Sequence, residues 1–214
     1  MGARMGLAVP KQYLRLGGRT LLELAAEALT QDQRVERVLV VVAAADEAWR
    51  ALRCAPGVQV VADGGATRAE TVRNGLARLH AAPDDWVLVH DAARPCLSAE
   101  DLAALIDTLW LDPVGGLLAV PLADTLKRAA GERVAATLPR ESLWRAATPQ
   151  MFRAGLLARA LSGDLEAITD EAAAVERLGE APRLVEGASS NIKLTQPGDE
   201  ILARAVLQAQ GRLA

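Results

Sequence analysis

Three polar side chains follow an apolar run in residues 87–95, VLVHDAARP. The run ends at His90 and Asp91, and Arg94 comes three residues after Asp91. A bounded apolar run is typical of a buried strand in a parallel sheet, and ligands bind beyond the carboxyl ends of such strands. A carboxylate placed there can hold Mg²⁺, and a guanidinium can grip a phosphate through its planar fork of donors. On this segment alone, a helix-capping Asp91 in a structural salt bridge with Arg94 explains the residues equally well.

The N-terminal segment 2–13, GARMGLAVPKQY, has a composition that suits phosphate binding. Its glycines would let backbone amides approach phosphate oxygens closely. Arg4 and Lys11 would supply the positive charge that neutralises a polyphosphate. Basic residues near an N-terminus are also commonly just solvated, so this pattern needs support from the rest of the chain.

Residues 63–71, DGGATRAET, follow a second apolar run and open a predicted helix. Gly64 and Gly65 would allow a flat group to approach the backbone. Arg68 and Thr71 can point into the same crevice. An ordinary turn between a strand and a helix accounts for the same residues.

Two later segments complete the candidate residues. Thr169 suits a helix N-cap, and the acids Asp170 and Glu171 suit the first turn of that helix. Lys193 lies in a segment, 191–195, that we predict to be the last strand. A lysine in a strand needs either solvent or an anion.

Strand-like and helix-like segments alternate along most of the chain. Predicted strands cover 37–42, 58–62, 86–89, 116–120, 183–186 and 191–195, and predicted helices cover 20–29, 46–54, 66–80, 98–110, 153–161 and 169–178, with a terminal helix after Pro197. The alternation predicts an α/β fold with a mostly parallel twisted sheet and helices on both faces. It breaks in residues 122–140, which predict a protruding β-hairpin arm. The exposed edges of such a hairpin need covering, and a second subunit is the natural cover.

Composition narrows the function classes. The 214 residues suffice for a single domain with one sizeable core, built mainly from Ala, Val and Leu because aromatic residues are only 3%. A net charge of −3 disfavours a broad nucleic-acid-binding face. We see no apolar stretch near the roughly 20 residues of a bilayer span, and no signal core. The isolated Cys54 and Cys96 predict reduced thiols in a cytoplasmic protein.

Seven motifs run nearly end to end along the chain. They are RMG…PKQYL (4–14), DGG…R…TVRNGL (63–76), VLVHDAARP (87–95), AVPLADTLK (119–127), LW…ATPQMF (143–152), ITDEA (168–172) and NIKLT (191–195). In this order and spacing they resemble the 2-C-methyl-D-erythritol 4-phosphate cytidylyltransferase family. The resemblance implies a Rossmann-like nucleotidyltransferase domain that transfers a cytidylyl group from CTP to 2-C-methyl-D-erythritol 4-phosphate, releases pyrophosphate and uses Mg²⁺ or another divalent cation. It also implies a homodimer whose arm reaches into the partner's site.

The resemblance implies roles for individual residues. The catalytic group that it implies is Arg4, Lys11, Arg140 and Lys193. The nucleotide-binding group is Gly2, Asp63, Gly64, Gly65, Arg68, Thr71 and Asp91, with Asp91 also as the metal ligand. The substrate-binding group is Arg94, Thr125, Arg140, Thr169 and Lys193, with Thr125 and Arg140 contributed by the other subunit. No general base is needed because the nucleophile is an anionic phosphate oxygen, which agrees with the chain's two histidines.

One departure from the family concerns the start of the chain. In the family an apolar strand and an Ala-Ala-Gly segment precede the first motif, and here Met1 falls inside the corresponding loop. We therefore expect the first family strand to be absent, through a mis-set start, an incomplete sequence or a rearranged sheet. Loss of an interior strand would lower the free energy of unfolding by an amount comparable to its total in a typical domain, which is about 5–15 kcal/mol.

Two other functions remain open on the sequence. A cytidylyltransferase for another polyol phosphate, such as ribitol 5-phosphate, would share the CTP site and differ around Thr125, Arg140 and Lys193. A non-catalytic nucleotide-binding or dimerisation module would bind CTP without releasing pyrophosphate.

Overall fold

A computed structural model describes residues 10–213. The strands in this part of the chain are β1 (Arg15–Leu16), β2 (Arg19–Thr20), β3 (Val38–Ala43), β4 (Val58–Gly64), β5 (Trp86–Val89), β6 (Gly115–Pro121), β7 (Leu126–Ala130), β8 (Arg133–Leu138), β9 (Trp144–Arg153) and β10 (Arg183–Glu186). The helices are α1 (Leu21–Leu29), α2 (Arg68–Leu79), α3 (Ala99–Leu109), α4 (Ala154–Ala160), α5 (Glu171–Glu176) and α6 (Asp199–Ala209). The predicted α/β class is confirmed.

The main sheet has the strand order β10-β6-β9-β5. β10 pairs parallel with β6, while β9 pairs antiparallel with both β6 and β5. β5 and β6 therefore run parallel to each other, and β9 is the one antiparallel strand of this sheet. Its location between them buries residues 147–152.

No strand was predicted over residues 144–153, because the sequence Thr-Pro-Gln at 148–150 is typical of a turn. Proline removes a hydrogen-bond donor and is uncommon inside a sheet except at irregularities. Pro149 lies at one: Gln150 pairs with Leu117, Ala146 pairs with Ala119, and the register shifts between these two pairs. The Thr148–Pro149 peptide bond is cis. The strand thus keeps its proline at an irregular point of the ladder.

β3 and β4 form a separate parallel pair. Between β3 and β5 lies a cavity of about 1320 Å³, lined on one side by Val38–Ala43 and on the other by Trp86–Val89. Apolar side chains of α1 and α2 also line this cavity, which we call the interstrand cavity. In the described part of the chain, it separates the β3–β4 pair from the main sheet.

Side-chain caps fix where the helices begin. Thr20 and Thr67 each form a capping box with a glutamate three residues later, and Ser98 caps α3. The predicted cap Thr169 is wrong, because Asp170 accepts the backbone N–H of Ala173 at the start of α5. A carboxylate at that position also interacts favourably with the positive, N-terminal end of the helix dipole.

Other sequence predictions need smaller corrections. The predicted helix 46–54 is a 3-10 turn over Ala48–Ala51. Among the described residues, the predicted strand 191–195 pairs with no other strand. Its backbone bonds to loops instead, and Leu194 donates to the carbonyl of Ala93 at 2.9 Å. The predicted arm is confirmed as the β7–β8 hairpin.

The core consists mainly of aliphatic side chains, as the composition predicts. α3 lies over the main sheet with Leu102, Leu105 and Leu109 fully buried. Both cysteines are free thiols. Between residues 10 and 213, no helix combines the length and the apolar character that crossing a bilayer requires.

Candidate active site

Asp91 lies just beyond β5, where three cations surround its carboxylate. The Nε atom of Arg68 is 3.0 Å from Oδ1, and the Nζ atom of Lys193 is 2.8 Å from Oδ2. Arg94 is more distant, with 3.8 Å between its Nε and Oδ2. Burial of Asp91 opposes its ionisation, but Arg68 and Lys193 outweigh this effect and lower the pKa of Asp91 to about 2. The carboxylate is therefore charged throughout the physiological range.

Each cation comes from a different part of the fold. Arg68 is the first residue of α2, which begins four residues after β4 ends. Lys193 extends from the irregular segment before α6, and Arg94 belongs to the turn after β5, in which its N–H donates to the carbonyl of Asp91 at 2.9 Å. Residues that follow the carboxyl ends of β4 and β5 thus meet at one site.

Arg94 is 9% exposed and holds a charge that its surroundings only partly satisfy. One Nη donates to the carbonyl of Asn191 at 2.7 Å, while its buried Nε has no hydrogen-bond partner. Burial lowers the pKa of Arg94, and Asp91 opposes that effect. Such a guanidinium favours an incoming anion.

The alternative interpretation of Asp91 and Arg94 as a helix cap with its salt bridge does not hold. The helix that follows, α3, is capped by Ser98. The separation of 3.8 Å between Arg94 and Asp91 is also longer than the contacts that Asp91 makes with Arg68 and Lys193. The two residues are instead part of the cation cluster.

His90 and Thr148 fix the backbone of this turn. The Nε2 atom of His90 is 2.9 Å from the carbonyl oxygen of Arg94, so this nitrogen carries the proton and donates it. The Nδ1 atom then accepts from the hydroxyl of Thr148 at 2.9 Å, and that hydroxyl accepts the N–H of Asp91 at 3.1 Å. Burial lowers the pKa of His90 to about 4, which keeps the ring neutral. His90 therefore has a structural role in this turn.

The predicted nucleotide segment is used mainly for internal contacts. A Cβ on Gly64 would lie 2.8 Å from the carbonyl oxygen of Val42, so close packing against β3 requires this glycine. The hydroxyl of Thr71 accepts the N–H of Gly65 at 3.1 Å. Asp63 pairs with Arg78 at 2.8 Å. The ligand role of these residues stays a prediction.

Lys11 lies beside the cluster, in a 3-10 turn over Lys11–Tyr13. Its Nζ donates to the carbonyl of Leu194 at 3.2 Å, and it lines the interstrand cavity together with Asp91 and Lys193. The structure thus brings Lys11 together with the cations predicted to bind phosphates. Gly2 and Arg4, the other predicted residues of this segment, lie outside the described residues.

The predicted arm residues and Thr169 do not reach the cluster within one chain. Thr125 and Thr169 are exposed, and Arg140 donates to the carbonyl of Ala123 at the base of the arm. Over residues 10–213, no hydrogen bond or ion pair joins any of the three to Asp91. Their predicted roles remain untested, and those of Thr125 and Arg140 require a second chain.

Glu171 was not among the predicted site residues, yet it contacts Arg68. This residue is 1% exposed, and its two carboxylate oxygens accept from the two Nη atoms of Arg68 at 2.6 and 3.0 Å. Burial raises the pKa of Glu171, and the pairing with Arg68 opposes that effect. Acidic residues are common in the first turn of a helix, and this preference was enough to explain Glu171 in the sequence. No sequence pattern linked it to Arg68, which is 103 residues away.

The charges of the cluster suit polyanions. Arg68, Arg94 and Lys193 face the two acids Asp91 and Glu171, which leaves a net positive charge before any substrate binds. The described residues include no group of three metal-ligating side chains. Oδ1 of Asp91 accepts from Arg68 and Oδ2 lies 2.8 Å from Lys193, and each oxygen retains lone-pair capacity beyond that contact. This donor set fits a Mg²⁺ ion held by a single carboxylate together with phosphate oxygens and water.

Comparison with known proteins identifies the family. The sequence model described as IspD, 2-C-methyl-D-erythritol 4-phosphate cytidylyltransferase, matches residues 1–209. A protein of that name from Laribacter hongkongensis is 57% identical over 215 residues, covering 96% of this chain and 91% of the relative. The chain belongs to the 2-C-methyl-D-erythritol 4-phosphate cytidylyltransferase family. Enzymes of this family are nucleotidyltransferases that transfer CMP from CTP to 2-C-methyl-D-erythritol 4-phosphate in isoprenoid synthesis, and they generally depend on a divalent metal.

Solved structures agree with this cytidylyltransferase family. A crystal structure of 4-diphosphocytidyl-2C-methyl-D-erythritol synthase matches with a TM-score of 0.85 at 48% identity, covering 92% of this chain and 95% of the other. The Francisella tularensis 2-C-methyl-D-erythritol 4-phosphate cytidylyltransferase matches with a TM-score of 0.82 at 34% identity, covering 93% and 94%. The predicted family, Rossmann-like fold and enzyme class are confirmed.

Proposed function

We propose that this chain transfers the cytidylyl group of CTP to the phosphate of 2-C-methyl-D-erythritol 4-phosphate. The observation that supports this most directly is the cluster of Arg68, Arg94 and Lys193 around Asp91 at the carboxyl end of β5. Two polyanionic substrates must approach each other in this reaction, and converging cations are what reduces their repulsion.

In the proposed reaction, an oxygen of the methylerythritol phosphate attacks the α-phosphorus of CTP. A new phosphorus–oxygen bond forms, the bond between the α-phosphorus and the bridging oxygen breaks, and pyrophosphate leaves with that electron pair. The attacking oxygen carries no proton that must be removed at neutral pH. The protein therefore aligns the reactants and stabilises charge, which is the main contribution of proteins to phosphoryl transfer.

The roles that we assign follow from charge and location. Arg94 and Lys193 bind the methylerythritol phosphate, because Arg94 has an unsatisfied buried Nε and Lys193 is the most exposed cation of the cluster, at 40%. Lys11, with Arg4, stabilises the triphosphate and the developing charge on pyrophosphate. Gly2, Asp63, Gly64, Gly65 and Thr71 form the cytidine side of the site.

Asp91 is the residue that would hold Mg²⁺. The bound ion would neutralise negative charge on the CTP phosphates. Asp91 is suited to this because its carboxylate remains ionised and its turn is fixed by Thr148. Its contacts with Arg68 and Lys193 hold one oxygen each and so fix the plane of the carboxylate.

We further propose that residues 1–214 form a single domain and that two such chains form a homodimer. The β7–β8 arm, within residues 122–140, completes the partner's site. Both faces of the arm are largely exposed, including Val134 at 65%. Thr125 and Arg140 lie at its base, without contact to the cluster of their own chain. Docking on a second chain would cover the arm and bring both residues to the methylerythritol phosphate.

We place the reaction in the cytoplasm, in agreement with the free thiols Cys54 and Cys96.

A substrate assay tests the proposed function. Pyrophosphate release from CTP should require both Mg²⁺ and 2-C-methyl-D-erythritol 4-phosphate. Ribitol 5-phosphate should neither replace the methylerythritol phosphate nor compete with it at equal concentration. Faster release with ribitol 5-phosphate would reassign the polyol substrate, and CTP binding without any release would favour a non-catalytic module.

A further inference from the structure

We propose that Glu171 is a positioning residue that holds Arg68 in place so that Arg68 orients Asp91 toward the metal and the CTP phosphates. The inference rests on the proposed function for the identity of the ligands. It concerns a residue that lies behind the site and touches neither substrate. It also changes the role of Arg68 from a predicted nucleotide-binding residue to the link between two acids.

The geometry leaves Arg68 few donors for a substrate. Its two Nη atoms donate to Glu171 at 2.6 and 3.0 Å, and its Nε donates to Asp91 at 3.0 Å. All three nitrogens of the guanidinium therefore contact carboxylates. The fork between Arg68 and Glu171 is bidentate, and a bidentate pair fixes the plane of the guanidinium. The third donor then approaches Asp91 from one direction only.

Charge argues against a direct substrate role for Glu171. A carboxylate repels phosphates, and a buried carboxylate also carries a desolvation cost. At 1% exposure, Glu171 has no access to substrate and makes its side-chain contacts with Arg68. An acid in this position lowers the net charge of a site that needs cations, so its benefit must be the placement of Arg68.

Glu171 is itself held firmly. It is the first residue of α5, and the buried Gln150 of β9 binds the start of that helix. The Oε1 atom of Gln150 accepts the N–H of Ala172 at 2.7 Å, and its Nε2 donates to Asp170 at 2.9 Å. The central strand of the sheet thus anchors the acid that anchors Arg68.

Without the charge of Glu171, Arg68 would be free to turn its Nη atoms onto Asp91. Both oxygens of Asp91 would then accept hydrogen bonds from Arg68, and the carboxylate would bind a metal cation less well. Removing partners that orient a metal ligand typically costs about 10–100-fold in metal affinity or activity. A residue that only stabilises the fold would lower the melting temperature without this specific effect.

The variant Glu171→Gln tests the proposal because it keeps the shape of the side chain and removes its charge. We expect the Mg²⁺ concentration for half-maximal CTP binding, measured by calorimetry, to rise about 10-fold or more. The Nε–H signal of Arg68 in arginine-selective ¹⁵N NMR should shift from its wild-type position even without substrate. If Glu171→Gln does not fold, Glu171→Asp keeps the charge, shortens the reach and should show the same two changes.

Glu23→Gln is the matched control. Glu23 is a buried carboxylate, 5% exposed, which accepts the backbone N–H of Thr20 and makes no contact with Asp91. This variant should lower the melting temperature but leave the Mg²⁺ dependence unchanged. An unchanged Mg²⁺ dependence and Arg68 signal in Glu171→Gln would overturn the proposal, as would an equal Mg²⁺ shift in Glu23→Gln. A wild-type protein that binds CTP but releases no pyrophosphate would refute the proposed function alone, since both readouts work without turnover.

Discussion

Asp91 keeps its charge although it is mostly buried, because Arg68 and Lys193 each contact one of its oxygens. Desolvation alone would favour the neutral acid. The same arrangement gives the site a surplus of positive charge, since Arg94 is buried beside it with an unsatisfied Nε. At the scale of single residues, the site is therefore prepared for anions before a substrate arrives.

Lys11→Ala should lower turnover by about 10²–10³-fold with the fold intact. The estimate corresponds to about 3–4 kcal/mol for one preorganised contact with developing negative charge. The measurement is kcat for pyrophosphate release together with the melting temperature. Arg15→Ala, which removes an exposed cation four residues away, is the control and should keep wild-type turnover. Near-normal turnover in Lys11→Ala would remove this residue from the mechanism.

We expect the folded protein to lose stability in weak acid because His90 is buried in its neutral form. The pKa of His90 is about 4 in the folded protein and 6.5 in an unfolded chain, so the unfolded state binds more protons between these values. The contribution of His90 is fully present above pH 6.5, decreases as the pH falls and levels off below about pH 4, with a total of about 3 kcal/mol.

Urea unfolding of wild type and His90→Asn, measured from pH 7 to pH 4, checks this effect. The difference in unfolding free energy between the two proteins should shrink as the pH falls, because the variant lacks the titrating ring. Other acids cancel in that difference. A constant difference over this range would show that His90 is not held neutral.

At the scale of elements, β9 connects three segments that carry site residues. Its Thr148 accepts the N–H of Asp91, and the carbonyl of Thr148 accepts from the side chain of Asn191 at 2.8 Å. Its Gln150 binds the start of α5. A central strand that is paired on both sides is a rigid support, and this explains how loops far apart in sequence meet with fixed geometry.

Gln150→Ala should destabilise the protein by about 1–3 kcal/mol, because it leaves the buried N–H of Ala172 without its partner. Chemical denaturation measures the change. Gln31→Ala is the control. The side-chain amide of Gln31 is bonded to the backbone too, as a donor to the carbonyl of Ala28, but this hydrogen bond is only partly buried. A loss of stability in Gln150→Ala no larger than in Gln31→Ala would contradict the anchoring role.

The sequence predicted most elements well, and its failures have physical causes. Periodicity and caps located α1, α2 and α3 because local preferences and tertiary packing agree there. β9 was missed because Pro149 reads as a strand breaker unless the irregular ladder around it is known. Residues 191–195 have strand-like composition but bond to a loop, and the partner of a strand is not encoded locally.

The site itself was predicted in part. Asp91, Arg94, Lys11 and Lys193 were identified from their chemistry, and the structure brings them together. Glu171 was missed because its pairing with Arg68 depends on how α5 packs against α2, which no local pattern reports. The family resemblance supplied the substrates, which residue types alone leave open.

At the scale of the whole molecule, the interstrand cavity divides the sheet between β3 and β5. Its walls are mostly apolar, and the facing edges of both strands have backbone groups without ladder partners in the described chain. Unpaired strand edges are natural templates for another strand. A strand of about 5–6 residues is the typical length that such an edge accepts.

We therefore expect an N-terminal extension that contains one apolar strand of about 5–6 residues to raise both the melting temperature and the turnover of this chain. An extension of equal length with Ser and Asn in place of the apolar residues is the control and should change neither. Equal melting temperatures for the two extended proteins would show that the cavity does not accept a strand.

Asp91 is the acid around which the cations converge, and the proposed function depends on it more than on any other residue. The direct test is pyrophosphate release from CTP and 2-C-methyl-D-erythritol 4-phosphate at saturating Mg²⁺, comparing wild type with Asp91→Asn, which keeps the shape and removes the charge. We predict a fall of about 10²-fold or more in turnover, since a preorganised charge contact is lost, while the protein remains folded. Turnover within about two-fold of wild type in a folded Asp91→Asn protein would contradict the account.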